Sequence, residues 1–168
     1  MKTLIILALM IGLVPPKYQK EGEELARVRY QVIAAAISAE AKGDIRLARF
    51  LITVAKHESS FRLDIHSGKK RGAAGEAGLF QVMVGKDGKI LRHKYTAKQV
   101  IGVSPEATAR AVEVAAVYLR PIIVGCYGAP LCVFKRYGGI PRDRLTQGEL
   151  RRRLLARVAT YQQLVRSK

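Results

Sequence analysis

Two short stretches of this chain place reactive side chains in an order suited to proton transfer. The first is His57-Glu58-Ser59-Ser60-Phe61, and the second, twenty residues on from Glu58, is Gly78-Leu79-Phe80-Gln81-Val82-Met83. A carboxyl held among apolar groups resists ionising, so its pKa rises. At a value of about 6 it is protonated enough to donate to a leaving oxygen near neutral pH. The Gln81 amide both donates and accepts, which matches hydroxyl and acetamido groups. Residues 62–77 between the stretches hold Gly68, Gly72 and Gly75, with Lys69, Lys70 and Arg71 among them. Glycine lets backbone approach a ligand closely, and loops carry sites more often than scaffolds do. The chemistry these residue types suit is acid-catalysed cleavage of a sugar linkage with one principal acid.

The elements that must position Glu58 are legible by periodicity. Residues 44–58 read as one helix, with Gly43 ending its predecessor and Asp44 as N-cap. Leu47, Phe50, Leu51 and Val54 recur at three- and four-residue steps. Four residues further that stripe reaches Glu58, which predicts a carboxyl on the buried face. Ser59 and Ser60 are poor helix interiors and mark the end. Before it, residues 21–42 read as an Ala/Ile/Val-rich helix. After it, residues 59–95 read as a loop-rich lobe with a small irregular β element and a hairpin tip at Gly85-Lys86-Asp87-Gly88. Ser104-Pro105-Glu106 opens a helix disturbed at Pro121. Pro130 starts a short helix ending near Gly138. Thr146-Gln147-Gly148-Glu149 is a capping box opening a basic last helix.

At Glu58-Ser59-Ser60-Phe61 and Gly78-Leu79-Phe80-Gln81 the chain resembles the soluble lytic transglycosylases, a peptidoglycan-cleaving branch of the lysozyme-like superfamily. A third motif would be Arg136-Tyr137-Gly138-Gly139, where Gly138 stands in place of the usual Asn; the chain contains no asparagine. The resemblance covers about residues 40–140. It implies an α+β, predominantly α-helical, lysozyme-like fold. It implies that Glu58 protonates the oxygen between N-acetylmuramic acid and N-acetylglucosamine, then as base lets the 6-hydroxyl close a 1,6-anhydro ring. Tyr137 would hydrogen-bond and orient Glu58. Ser59, Ser60, Glu76, Gly78, Phe80 and Gln81 would contact substrate, although core packing is the plainer reading of Leu79, Phe80 and Val82. No cofactor or metal is implied. Two-carboxylate hydrolysis needs a second acid, for which Asp64 and Glu76 are the near candidates. A hydrolytic muramidase and a non-catalytic wall-binding protein are therefore the alternatives.

With 168 residues and 49% hydrophobic composition, the chain is one domain's worth with a real core. A net charge of +17 implies anionic partners. Peptidoglycan strands, anionic wall polymers or a membrane surface fit; specific nucleic-acid binding is not expected, because no zinc finger or RNA-binding aromatic signature accompanies the charge. Residues 135–168 hold ten Lys/Arg against two acids, and the basic last helix, with Arg151, Arg152, Arg153, Arg157 and Arg166, reads as a solvated face. Met1-Lys2 and the apolar run Leu4–Val14 fit a secretory signal or anchor over residues 1–18, short of the roughly 20 residues that span a bilayer. Residues 19–168 would then be the catalytic domain of an exported, periplasmic or extracellular protein. His57-Glu58 does not extend to a zinc-binding HExxH motif, since position 61 is Phe61. Outside the cytoplasm, Cys126 and Cys132 would close a small disulfide loop.

Overall fold

In a computed structural model, which describes residues 3–72, 75–137 and 147–167, the apolar stripes of the sequence become eight α-helices. They are α1 (Thr3–Leu13), α2 (Glu23–Ala41), α3 (Ile45–Ser59), α4 (Leu63–His66), α5 (Ala97–Val100), α6 (Pro105–Gly125), α7 (Pro130–Tyr137) and α8 (Gln147–Arg166), with a 3-10 turn at Pro16–Tyr18. The protein is predominantly helical. Among the described residues β structure amounts to three isolated antiparallel bridges, Ala77–Val82, Val84–Ile90 and Lys89–Thr96. The β part of the expectation thus reduces to a pinned loop rather than a sheet.

Helix α2 buries Tyr30, Ile33, Ala34, Ile37 and Ala41, a single stripe at helical spacing. It packs on α6, which answers with Ala111, Val112, Ala115 and Leu119, and on α1. Helix α3 touches α1, α2, α6 and α8, so it is the central element of the core. Asp44 caps it, accepting from the backbone N–H groups of Arg46 and Leu47 at 2.9 and 3.0 Å. The preceding turn uses Lys42 and then Gly43 in left-handed backbone. Asp44 and Gly43 were both expected in these roles.

Three further expectations meet the structure as follows. The apolar run read as a signal or anchor packs on α2 as α1, with Ile6 and Met10 fully buried and Leu4 and Ile5 exposed. Met1 and Lys2 lie outside the described residues. Among the described residues no helix is long and apolar enough to cross a membrane. Second, Pro121 does not end α6, which continues to Gly125. Pro121 and Val117 both face solvent, so water can satisfy the carbonyl that the missing N–H leaves open. Third, α8 is described from Gln147, and Thr146 of the expected capping box lies outside the described residues.

The lobe between α4 and α6 follows its sequence signals. Gly88 N–H donates to Gly85 O and Gly85 N–H to Lys89 O, closing the expected hairpin tip. Ser104 caps α6 through Ala107 N–H at 3.2 Å. Tyr95 donates to Glu113 at 2.7 Å, fastening the lobe to α6. Cys126, just past α6, and Cys132 on α7 form a disulfide.

Candidate functional site

The last turn of α3 carries Glu58, and the chain leaves that turn through a strained bend. Ser60 and Phe61 both hold left-handed backbone, φ 49° and 52°, which is uncommon for a bulky residue. Such strain persists only where packing over-determines it. Here Phe61 is fully buried with its ring edge-on to Tyr30, centroids 5.3 Å apart. Ser59 Oγ donates to Ala55 O at 2.8 Å and accepts from Phe61 N–H at 3.2 Å. Gln19, beside the 3-10 turn, donates to Ser60 O and to the Tyr30 hydroxyl. The position of Glu58 is therefore fixed from both sides of the bend.

The Glu58 side chain is 22% exposed. Burial pushes its carboxyl above the ordinary glutamate range, and the negative charge of Glu76 adds to that; Arg157 and Arg153 pull the other way. The contact partner is Arg157 of α8, whose Nη2 donates to Glu58 Oε1 at 2.6 Å with the arginine side chain 12% exposed. Arg157 Nη1 is buried without a hydrogen-bond partner among the described residues. Next to Glu58, His57 meets Thr160 of α8 at 3.0 Å. Burial, Lys56 and Arg157 push the imidazole down to about 4, so His57 is neutral near pH 7 and holds α8 against α3 as a hydrogen-bonding group.

The lobe brings Glu76 and Gln81 to the same place. The Ala77–Val82 bridge folds residues 77–82 into a tight turn, with Gln81 at φ 47°. Gln81 Nε2 donates to Gly78 O at 3.1 Å. A side chain at Gly72 would collide with the Glu76 carboxylate and lie 3.1 Å from Gln81 Oε1, so Gly72 is where the backbone must pass close to both. Gly68 has a different reason: at φ 77° its absent side chain would collide with Ile101. That glycine packs the lobe and does not open it to ligand.

Several expected site residues take other roles. Tyr137 ends α7 and its hydroxyl is held up by burial and by the nearby Glu58 charge, but it makes no hydrogen bond to Glu58; Arg157 occupies that position instead. Gly138 and Gly139 of the third motif lie outside the described residues. Ser59 is buried with its hydroxyl committed to backbone, and Phe80 is buried in the core. Both support the site and do not face a ligand, a correction to their expected substrate contact. Gly78 packs near Ile101. Ser60 is exposed, donating to Lys56 O. Asp64 is partly exposed and paired with Arg62 at 2.5 Å, which holds its carboxyl below the usual range. Glu76, not Asp64, is thus the carboxylate that acts on Glu58.

Arg157 is the residue that sequence reasoning missed, since it was read with the solvated basic face. A signal was present. The buried positions of α8 are Thr160, Tyr161 and Leu164, and stepping back three or four residues from them reaches Arg157. The same periodicity that predicted an inward Glu58 predicts an inward arginine.

Among the described residues no group of three or more His, Cys, Asp or Glu side chains converges to hold a metal ion. No protein-family model, curated protein or solved structure matches this chain.

Proposed function

We propose that this chain is a lysozyme-like lytic transglycosylase that cleaves the glycan strands of peptidoglycan, with Glu58 as acid and then base. The observation that carries the reading is a half-buried carboxyl at the end of α3, pushed above its ordinary pKa by burial and by Glu76, beside a lobe that presents Gln81. In its protonated form Glu58 donates to the glycosidic oxygen between N-acetylmuramic acid and N-acetylglucosamine as that bond breaks. The muramoyl acetamido oxygen covers the anomeric carbon. The Glu58 carboxylate then takes the proton of the 6-hydroxyl, whose oxygen attacks that carbon and displaces the acetamido group. Glu58 ends protonated and no water is consumed. General acid–base catalysis of this kind contributes about 10²–10⁴ in rate. Gln81 suits the sugar's acetamido and hydroxyl groups.

On this reading the protein works outside the cytoplasmic membrane. Its net charge of +17 suits a wall rich in carboxylates and phosphates. The test is release of soluble fragments from purified peptidoglycan. Wild type should solubilise it and Glu58→Gln should not, while both still bind the insoluble wall. Binding without release by wild type would identify a wall-binding protein instead.

One observation favours a second reading. Glu76 lies close enough to Glu58 for its charge to act on it, and a second carboxylate is what water activation needs. Hydrolysis with Glu76 as base would give reducing muramic acid ends.

A further inference from the structure

We propose that Arg157 recognises a carboxylate on the glycan substrate, and that this carboxylate takes the guanidinium over from Glu58. The assignment rests on the glycan-cleaving reading above. A guanidinium presents a planar fork that pairs with carboxylates through two parallel bonds. In this structure Arg157 uses Nη2 on one Glu58 oxygen, while its buried Nη1 has no partner among the described residues. An unsatisfied buried donor is costly, and here it lies beside the candidate acid.

The arginine stands on a fixed helix. Tyr161 stacks on Phe50 of α3 with centroids 4.3 Å apart, and Thr160 meets His57. Arg153, one turn earlier, is held by Glu149 at 3.0 Å. The groups acting on Glu58 or on its arginine are His57 on the same helix, Glu76 from the lobe, Tyr137 from α7, and Arg153 and Arg157 from α8.

The resting pair favours ionised Glu58, the wrong form for a general acid. When a substrate carboxylate draws Arg157 away, burial and Glu76 act on Glu58 with less opposition. Glu58 then binds a proton from solvent. One carboxylate and one proton enter together, and the acid becomes armed only on a substrate that carries the anion. A neutral glycan leaves Arg157 on Glu58. The carboxylate is either the lactyl group of a strand without peptide or a carboxylate of the attached peptide.

The experiment compares kcat/KM on peptide-free strands and on peptide-bearing strands, each with its carboxyls free and with them converted to amides. Wild type should lose roughly tenfold or more on amidation of the strand type whose carboxylate is read. In Arg157→Gln the ratio should fall towards one. Arg157→Lys, which keeps the charge without the fork, should give an intermediate ratio, and it carries the test if the Gln variant does not fold. A wild-type ratio near one on both strand types overturns the assignment, and so does an unchanged ratio in the variants. If wild type cleaves none of the strands, the glycan-cleaving reading itself falls, which is a distinct result from cleavage without discrimination.

Discussion

Glu58 and Arg157 form a pair whose two members answer differently to truncation. Glu58→Gln keeps an oxygen for Arg157 Nη2 and removes the proton. We expect at least a hundredfold loss of fragment release, with a melting temperature close to wild type by circular dichroism. Glu58→Ala leaves the guanidinium, 12% exposed, without its partner, and should cost on the order of 2 kcal/mol more. The pH profile reads the same pair. Burial and Glu76 raise Glu58, so the alkaline limb of kcat/KM should lie above the ordinary glutamate value of about 4.3. Arg157→Gln removes the largest opposing charge and should move that limb higher; a move to lower pH would contradict the electrostatics. Gly72 offers a third probe. Gly72→Ala must push aside the flexible ends of Glu76 and Gln81, so activity should fall severalfold while thermal stability changes little.

At the scale of elements, α3 shows what local sequence can and cannot announce. Its cap, its buried stripe and its stop are all local, and Asp44, Leu47–Val54 and Ser59 announce them. Asp44→Ala removes an acceptor shared by two N–H groups. It should cost about 1 kcal/mol, or about 2–4 °C in Tm for a chain of this size, with the activity of the folded fraction retained. What the sequence hides is non-local. The Arg157–Glu58 contact spans 99 residues, and no short motif carries it. The Tyr137 expectation failed for the same reason, because which side chain reaches Glu58 depends on how α7 and α8 pack together. Pro121 lies inside α6 and not at its end, since a proline's effect depends on whether the freed carbonyl faces water, which tertiary packing decides. The run at α1 was read from Lys2 and the length of the apolar stretch, and neither feature says what the helix packs against; here it lies on α2.

For the whole molecule, one buried and one half-buried imidazole set the acid response. His66 is fully buried against Thr108 and pushed down to about 3 by burial and Arg29; His57 lies at about 4. Both folded values lie below the ordinary value of about 6.5, so the unfolded chain binds protons that the folded chain refuses. Their contribution is complete above about pH 6.5 and is lost as pH falls towards 4 and 3. Calorimetric Tm should therefore drop steadily from pH 7 to pH 4; a Tm that rises over that interval would contradict the burial of these rings. On the proposed function, the charge of +17 would make wall binding a screened interaction, while the chemistry would depend on one carboxyl. On the proposed function this carboxyl drives an intramolecular attack on the glycan. Mass spectrometry of fragments released from purified peptidoglycan tests it most directly. Wild type should give 1,6-anhydromuramic ends, one water lighter than reducing ends, and Glu58→Gln should give none. Reducing ends throughout, or no fragments from wild type, would contradict it.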